Sequence, residues 1–116
     1  MNDRDDLAHL RYLARIQRDT AVEQRVRNGE DPATVTTEEP EVDEIVIAMM
    51  RDELLDARGL AAEYSLARLA ASGTGPDAEH LAAAADDIDT RLYREIALKH
   101  PELTRTAWRL MRVRAN

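Results

Sequence analysis

TEEPEVDEIVIAMMRDELLDARGLAAEYSLARLAAS, residues 37–72, is the longest stretch of helical periodicity in the chain, and the other segments read as packing around it. Thr36 or Thr37 suits an N-cap, Glu38, Glu39, Glu41 and Asp43 place negative charge at the positive end of the helix dipole, and Pro40 falls where a missing N–H costs little. At the other end Gly73 is a natural left-handed stop, with Pro76 close behind. Val42, Ile45, Val46, Met49, Met50, Ala57, Leu60, Ala61 and Tyr64 fall on adjoining rows of one face, and Leu54, Leu55, Leu66 and Leu69 widen it. A single helix over 37–72 would span roughly 50 Å at about 1.5 Å per residue, so it either bends near Gly59 or extends into a second chain. Gly59 inside a helix would cost about 1 kcal/mol relative to Ala, and Ala57, Ala61 and Ala62 around it suggest close helix crossing, with a hinge as the second reading.

On either side the punctuation is clear. A first helix is expected over about 3–27, with Leu7, Leu10, Ala14 and Ala21 on one row and Asn28-Gly29 as its stop. Residues 28–36 are polar, hold Gly29 and Pro32, and read as a linker. After SGTGPD, where Thr74 can cap and Pro76 can open the next helix, a third helix is expected over about 76–99, Ala-rich first and then carrying Ile88, Leu92, Tyr93 and Ile96. His100-Pro101 breaks it, because the residue before proline is pushed out of the helical region. A short basic helix over about 101–114 closes the chain, with Leu103, Ala107, Leu110 and Met111 on one side and Arg105, Arg109 and Arg112 on the other. The reading is therefore all-α: one domain over 1–116, a small helical bundle of three main helices plus a short C-terminal one, organised around the long central helix.

With 116 residues, 44% of them hydrophobic, the chain has enough apolar material for a core, but Trp108, Tyr12, Tyr64 and Tyr93 are its only aromatics. Ala buries little area, and oligomerisation is the usual remedy, so a homodimer is expected, with Val42, Ile45, Val46, Met49, Leu60 and Tyr64 at its interface. Cysteine is absent, which removes disulfides, thiolate metal sites and cysteine nucleophiles. The N-terminal residues carry frequent charge and no later run is apolar enough to span a membrane, so a soluble cytoplasmic protein without membrane partners is expected. Arg far outnumbering Lys, together with abundant Ala, Asp and Glu, suggests a high-GC bacterial or phage genome.

The net charge of −7 is unevenly placed. Residues 30–90 are acid-rich, with only Arg51, Arg58 and Arg68 opposing, whereas in residues 91–116 Arg91, Arg94, Lys99, Arg105, Arg109, Arg112 and Arg114 face only Glu95 and Glu102. No motif for catalysis, a metal or a cofactor emerges: there is no Glu-x-x-His, no P-loop, no dinucleotide-binding glycine pattern and no Gly-x-Ser-x-Gly, and Asp86, Asp87 and Asp89 lack the rest of a calcium loop and read as a solvated helix face. Three functions follow from the charge layout. The preferred one is a non-enzymatic interaction or adaptor protein, in which Arg105, Arg109 and Arg112 complement the acidic middle and Trp108 anchors the last helix on the core. The alternative is a small DNA-binding transcriptional regulator that uses those arginines on phosphates, and a third, less favoured, is an acidic mimic of nucleic acid.

Overall fold

The computed structural model describes residues 3–73 and 75–115. As the periodicity predicts, the chain is all-helical: 85% is helix, and no strand forms among the described residues. The elements are α1 (Asp3–Arg27), α2 (Pro32–Glu38), α3 (Val42–Ala57), α4 (Ala61–Ala71), α5 (Ala78–Lys99), a single 3-10 turn (Pro101–Leu103) and α6 (Thr104–Ala115). They group into two compact units, residues 1–49 and 50–116, with the division falling inside α3.

The helix expected over 37–72 is two helices, α3 and α4, broken at Gly59. Gly59 adopts φ +69°, where a Cβ would crowd the following carbonyl, so it ends α3 instead of continuing it. The Leu60 N–H donates to Leu55 O (2.8 Å) and the Gly59 N–H donates to Asp56 O (3.2 Å), while Leu60 packs beside Leu55. That is a Schellman stop with its hydrophobic contact, and it satisfies two of the orphan carbonyls at the helix end. Close helix crossing is not the reason for glycine here, because a Cβ built at Gly59 would meet nothing within 4 Å. Gly59→Ala is expected to cost about 1–2 kcal/mol through backbone strain alone, read as a lower denaturation midpoint with an unchanged helical spectrum.

The linker expected over 28–36 contains a helix. Asp31 caps α2, its carboxylate accepting from the Ala33 N–H (3.2 Å), and Pro32 takes the first helical position. Thr36 and Thr37 therefore lie inside α2, their hydroxyls donating to Pro32 O and Ala33 O, and are not caps of the following helix. That helix, α3, starts only at Val42, after Pro40, and Glu44 reaches back to accept from the Glu41 N–H (3.0 Å).

In the first unit, α1 ends as its Asn28-Gly29 signal predicts: Gly29 has φ +96°, and the Glu30 N–H donates to Arg25 O. Leu7, Ala14, Val35, Ile45, Val46 and Ile47 are buried. Arginines of α1 hold the rest. Arg11 pairs with Asp43 (3.0 Å), Arg18 donates to the Thr36 and Pro40 carbonyls, and Arg25 pairs with Glu30, Glu38 and Glu39. The hydrogen bond from Arg25 holds the Glu30 carboxyl below the usual carboxylate range.

In the second unit α5 is the axis, packing against both α4 and α6. Leu55, Ile88 and Leu92 form a buried cluster joined by Leu54, Leu60, Ala61 and Tyr64, and Tyr93, Ile96, Ala97, Leu103, Ala107 and Met111 are also buried. The third helix begins at Ala78, later than the expected 76, and the Thr74 cap expected there lies outside the described residues. His100 leaves the helical region as a residue before proline should, and the Thr104 hydroxyl donates to Ala97 O (2.9 Å), satisfying a carbonyl in the last turn of α5. The basic helix expected over 101–114 is a 3-10 turn followed by α6.

Candidate functional site

Two groups of polar side chains in the second unit are organised well enough to need a physical account, and they serve opposite ends. The first is centred on Asp89, which is 0% exposed. Helical spacing puts it on the same face of α5 as Leu92, Tyr93 and Ile96, so the carboxylate is carried into the core with them. The sequence reading of Asp86, Asp87 and Asp89 as a solvated face fails at Asp89. A buried carboxylate needs donors, and they come from two other helices. Tyr64 Oη donates to Asp89 Oδ2 (3.0 Å), Arg68 Nη2 donates to the same oxygen (2.5 Å) and to Asp86 Oδ1 (3.0 Å), and Arg51 Nη1 lies 3.6 Å from Asp89 Oδ1. Arg51 also donates to Tyr93 Oη (3.3 Å).

Tyr64 stands between the two cations. The Arg51 and Arg68 guanidinium carbons lie 5.4 Å and 5.3 Å from its ring centroid, within cation–π range. Burial opposes the charge on both arginines, but the tyrosines and Asp89 around Arg51, and Tyr64, Asp89 and Asp86 around Arg68, more than offset it and hold both guanidiniums above their ordinary range. Arg51 also pairs with the exposed Asp52 (3.2 Å), so two arginines serve three aspartates, of which Asp89 alone is fully buried. Its carboxylate is enclosed and engaged by donors, so its role is to fix α3, α4 and α5 in one arrangement.

Beside the network a cleft of about 360 Å³ has an apolar floor of Leu60, Ile88 and Leu92 and a charged rim. The rim charges engage one another, Arg58 with Glu95 and Arg91 with Asp87 (3.5 Å), and Lys99 adds to Glu95. Among the described residues no cluster of His, Asp or Glu is arranged to hold a metal ion, and no helix is long and apolar enough to cross a membrane.

The second organised group is on α6. Leu103, Ala107 and Met111 turn inward and anchor the helix, leaving Arg105, Trp108, Arg109 and Arg112 on the outer face. Those four line one groove of about 400 Å³. Trp108 is 46% exposed, so the expectation that it anchors α6 on the core is corrected: Ala107, its neighbour, occupies the inward row, and the indole stands among the arginines. Arg105 and Arg112 form no ion pair within the chain among the described residues.

The residues expected at an oligomer interface are in large part used within the chain. Ile45 and Val46 are buried, Val42 and Met49 are half-buried, and Leu60 and Tyr64 pack on the Leu55–Ile88–Leu92 cluster. Large apolar side chains left at the surface are instead Tyr12, Leu13 and Ile16 on α1, Leu66 and Leu69 on α4, and Leu98 on α5. The chain matches no family model, no curated protein and no solved structure, so its function has to be argued from these surfaces.

Proposed function

We propose that this is a non-enzymatic interaction protein that acts through protein–protein contacts and assembles first with a second copy of itself. The observation that carries the reading is a cluster of exposed apolar side chains midway along α1, on the side opposite its buried face. Leu7 and Ala14 lie on its buried face. About half a helical turn away lie Tyr12 (60% exposed), Ile16 (47% exposed) and Leu13, open to solvent. An exposed apolar cluster on a helix whose inner face is already buried suits an interface, and beyond it the same face turns polar at His9, Asp19 and Glu23. Arg15, Asp19 and Glu23 border the apolar group with both signs of charge, which suits a self-complementary two-fold contact better than a strongly charged partner. The interface is thereby moved from the residues named on α3 and α4 to α1, because the former are occupied inside the chain.

Sedimentation equilibrium tests this directly. The intact chain is expected at about twice its 13.1 kDa mass, and Tyr12→Glu with Ile16→Glu is expected to give a monomer that keeps its helical spectrum, since both side chains are exposed. A folded monomer from the unaltered chain would remove the dimer, and a double variant that stays dimeric would place the contact elsewhere.

A further inference from the structure

We infer that the outer face of α6 is a binding site for single-stranded nucleic acid, in which Trp108 stacks on a base and Arg105, Arg109 and Arg112 take the flanking phosphates. The site is distinct from the α1 face and does not depend on dimerisation. Helical spacing places Arg105, Trp108, Arg109 and Arg112 at successive offsets of three, one and three, so they fall within one sector of the helix over an axial rise of about 10 Å. They line a single groove of about 400 Å³. The indole is 46% exposed among three arginines, whereas the buried side of the same helix is supplied by Ala107 and Met111, with Leu103 in the turn before it.

The chemistry of the stripe selects among anionic partners. Arginine binds phosphate in a planar, two-pronged geometry, and an exposed aromatic face offers a stacking platform for any base, which together make the minimal single-strand site. A duplex keeps its bases stacked on one another and presents the indole with no free base face, so the indole would contribute nothing there. A polyanionic protein segment would use the arginines and leave Trp108 idle. The chain as a whole, with its net charge of −7, repels nucleic acid, but its acids are concentrated in residues 30–90. Within residues 91–116 only Glu95 and Glu102 are acidic, and Glu95 is already engaged by Arg58 and Lys99. Contact with two or three phosphates implies a modest affinity, strong only at low salt.

Trp108 is the sole tryptophan, so the chain carries its own reporter. The intact protein is titrated with an oligothymidylate strand while indole fluorescence is followed, in parallel with the same strand annealed to its complement, inorganic polyphosphate and polyglutamate. The single strand is expected to quench the fluorescence. Its log affinity should fall against log salt with a slope of about −2, as release of counterions from about three phosphates requires. Trp108→Ala should weaken binding of a labelled strand about tenfold, and the Arg105→Ala, Arg112→Ala pair should flatten the salt slope. Arg94→Ala, an exposed arginine outside the stripe, should leave both unchanged. Equal or tighter binding of polyglutamate or polyphosphate would overturn the proposal in favour of an acidic protein segment or a bare phosphate chain. Tighter binding of the duplex would overturn it in favour of the regulator reading, and no quenching at low salt would overturn it outright. The titration of the intact chain needs no variant, so a misfolded mutant does not shield the idea.

Discussion

Asp89→Ala is expected to cost about 3–5 kcal/mol, out of a stability on the order of 5–15 kcal/mol for a protein of this size. The magnitude follows from what the substitution leaves behind. Arg51 and Arg68 flank Tyr64 and point at a carboxylate that is completely buried. Removing that carboxylate takes the buried acceptor from two cations whose side chains are only 17% and 33% exposed, and leaves them the more exposed carboxylates of Asp52 and Asp86. It also takes the acceptor from the Tyr64 hydroxyl. Deleting one partner of a buried network carries the desolvation penalty of those that remain, and the partial exposure of Arg68 puts the expected loss toward the lower end. Urea denaturation measures it, and a loss below about 1 kcal/mol would mean that the network relaxes into water on its own. A double-mutant cycle of Asp89→Ala with Arg68→Met should show strong coupling, because the second change removes one of the cations that has lost its buried acceptor. Replacing Arg51, Arg68 and Asp89 together by apolar residues of similar size should restore much of the stability, and the network's contribution would then be to the arrangement of α3, α4 and α5 more than to its depth.

Much of this network is legible in the sequence once the rows are drawn, and the error lay in weighing residue type above position. Asp89 shares its helical row with Leu92, Tyr93 and Ile96, and that row alone marks it as inward-facing; its place in the acidic run Asp86-Asp87-x-Asp89 pulled the reading toward solvent. No local pattern names the donors, because Arg51 and Arg68 come from different helices and only the tertiary fold brings them together. The break at Gly59 carries a local signature: an apolar residue at Leu55, glycine four positions on, and an apolar residue directly after it are the elements of a Schellman stop. The wide apolar stripe favoured continuity, yet its width reflected two helices with separate faces. Asp31-Pro32 likewise spells a helix start, but the seven residues of α2 are too few to show a period. All-helical character is legible in the 3.6-residue period, and the ends of α1 and α5 are legible because each rests on glycine or proline chemistry within a few residues.

Leu103→Ala should be the second most damaging of these changes, at about 2–5 kcal/mol. Leu103 sits in the 3-10 turn between α5 and α6, is 0% exposed, and belongs to a corner that touches both helices. A truncation there leaves a cavity that a short, hydrogen-bonded turn has little freedom to close: the Leu103 N–H is tied to His100 O (2.9 Å) and Thr104 to Ala97 O. The useful comparison is with Trp108, five residues on and far larger. Size alone predicts that the tryptophan matters more to stability; burial predicts the reverse, since the indole is 46% exposed and its inward neighbours carry the anchoring. Thermal denaturation of Leu103→Ala and Trp108→Ala side by side decides between them. The leucine variant should lose several degrees more of melting temperature than the tryptophan variant. The opposite ranking would return Trp108 to the core and remove the basis for a binding face on α6, because an indole needed to hold the helix is not one held out for a base.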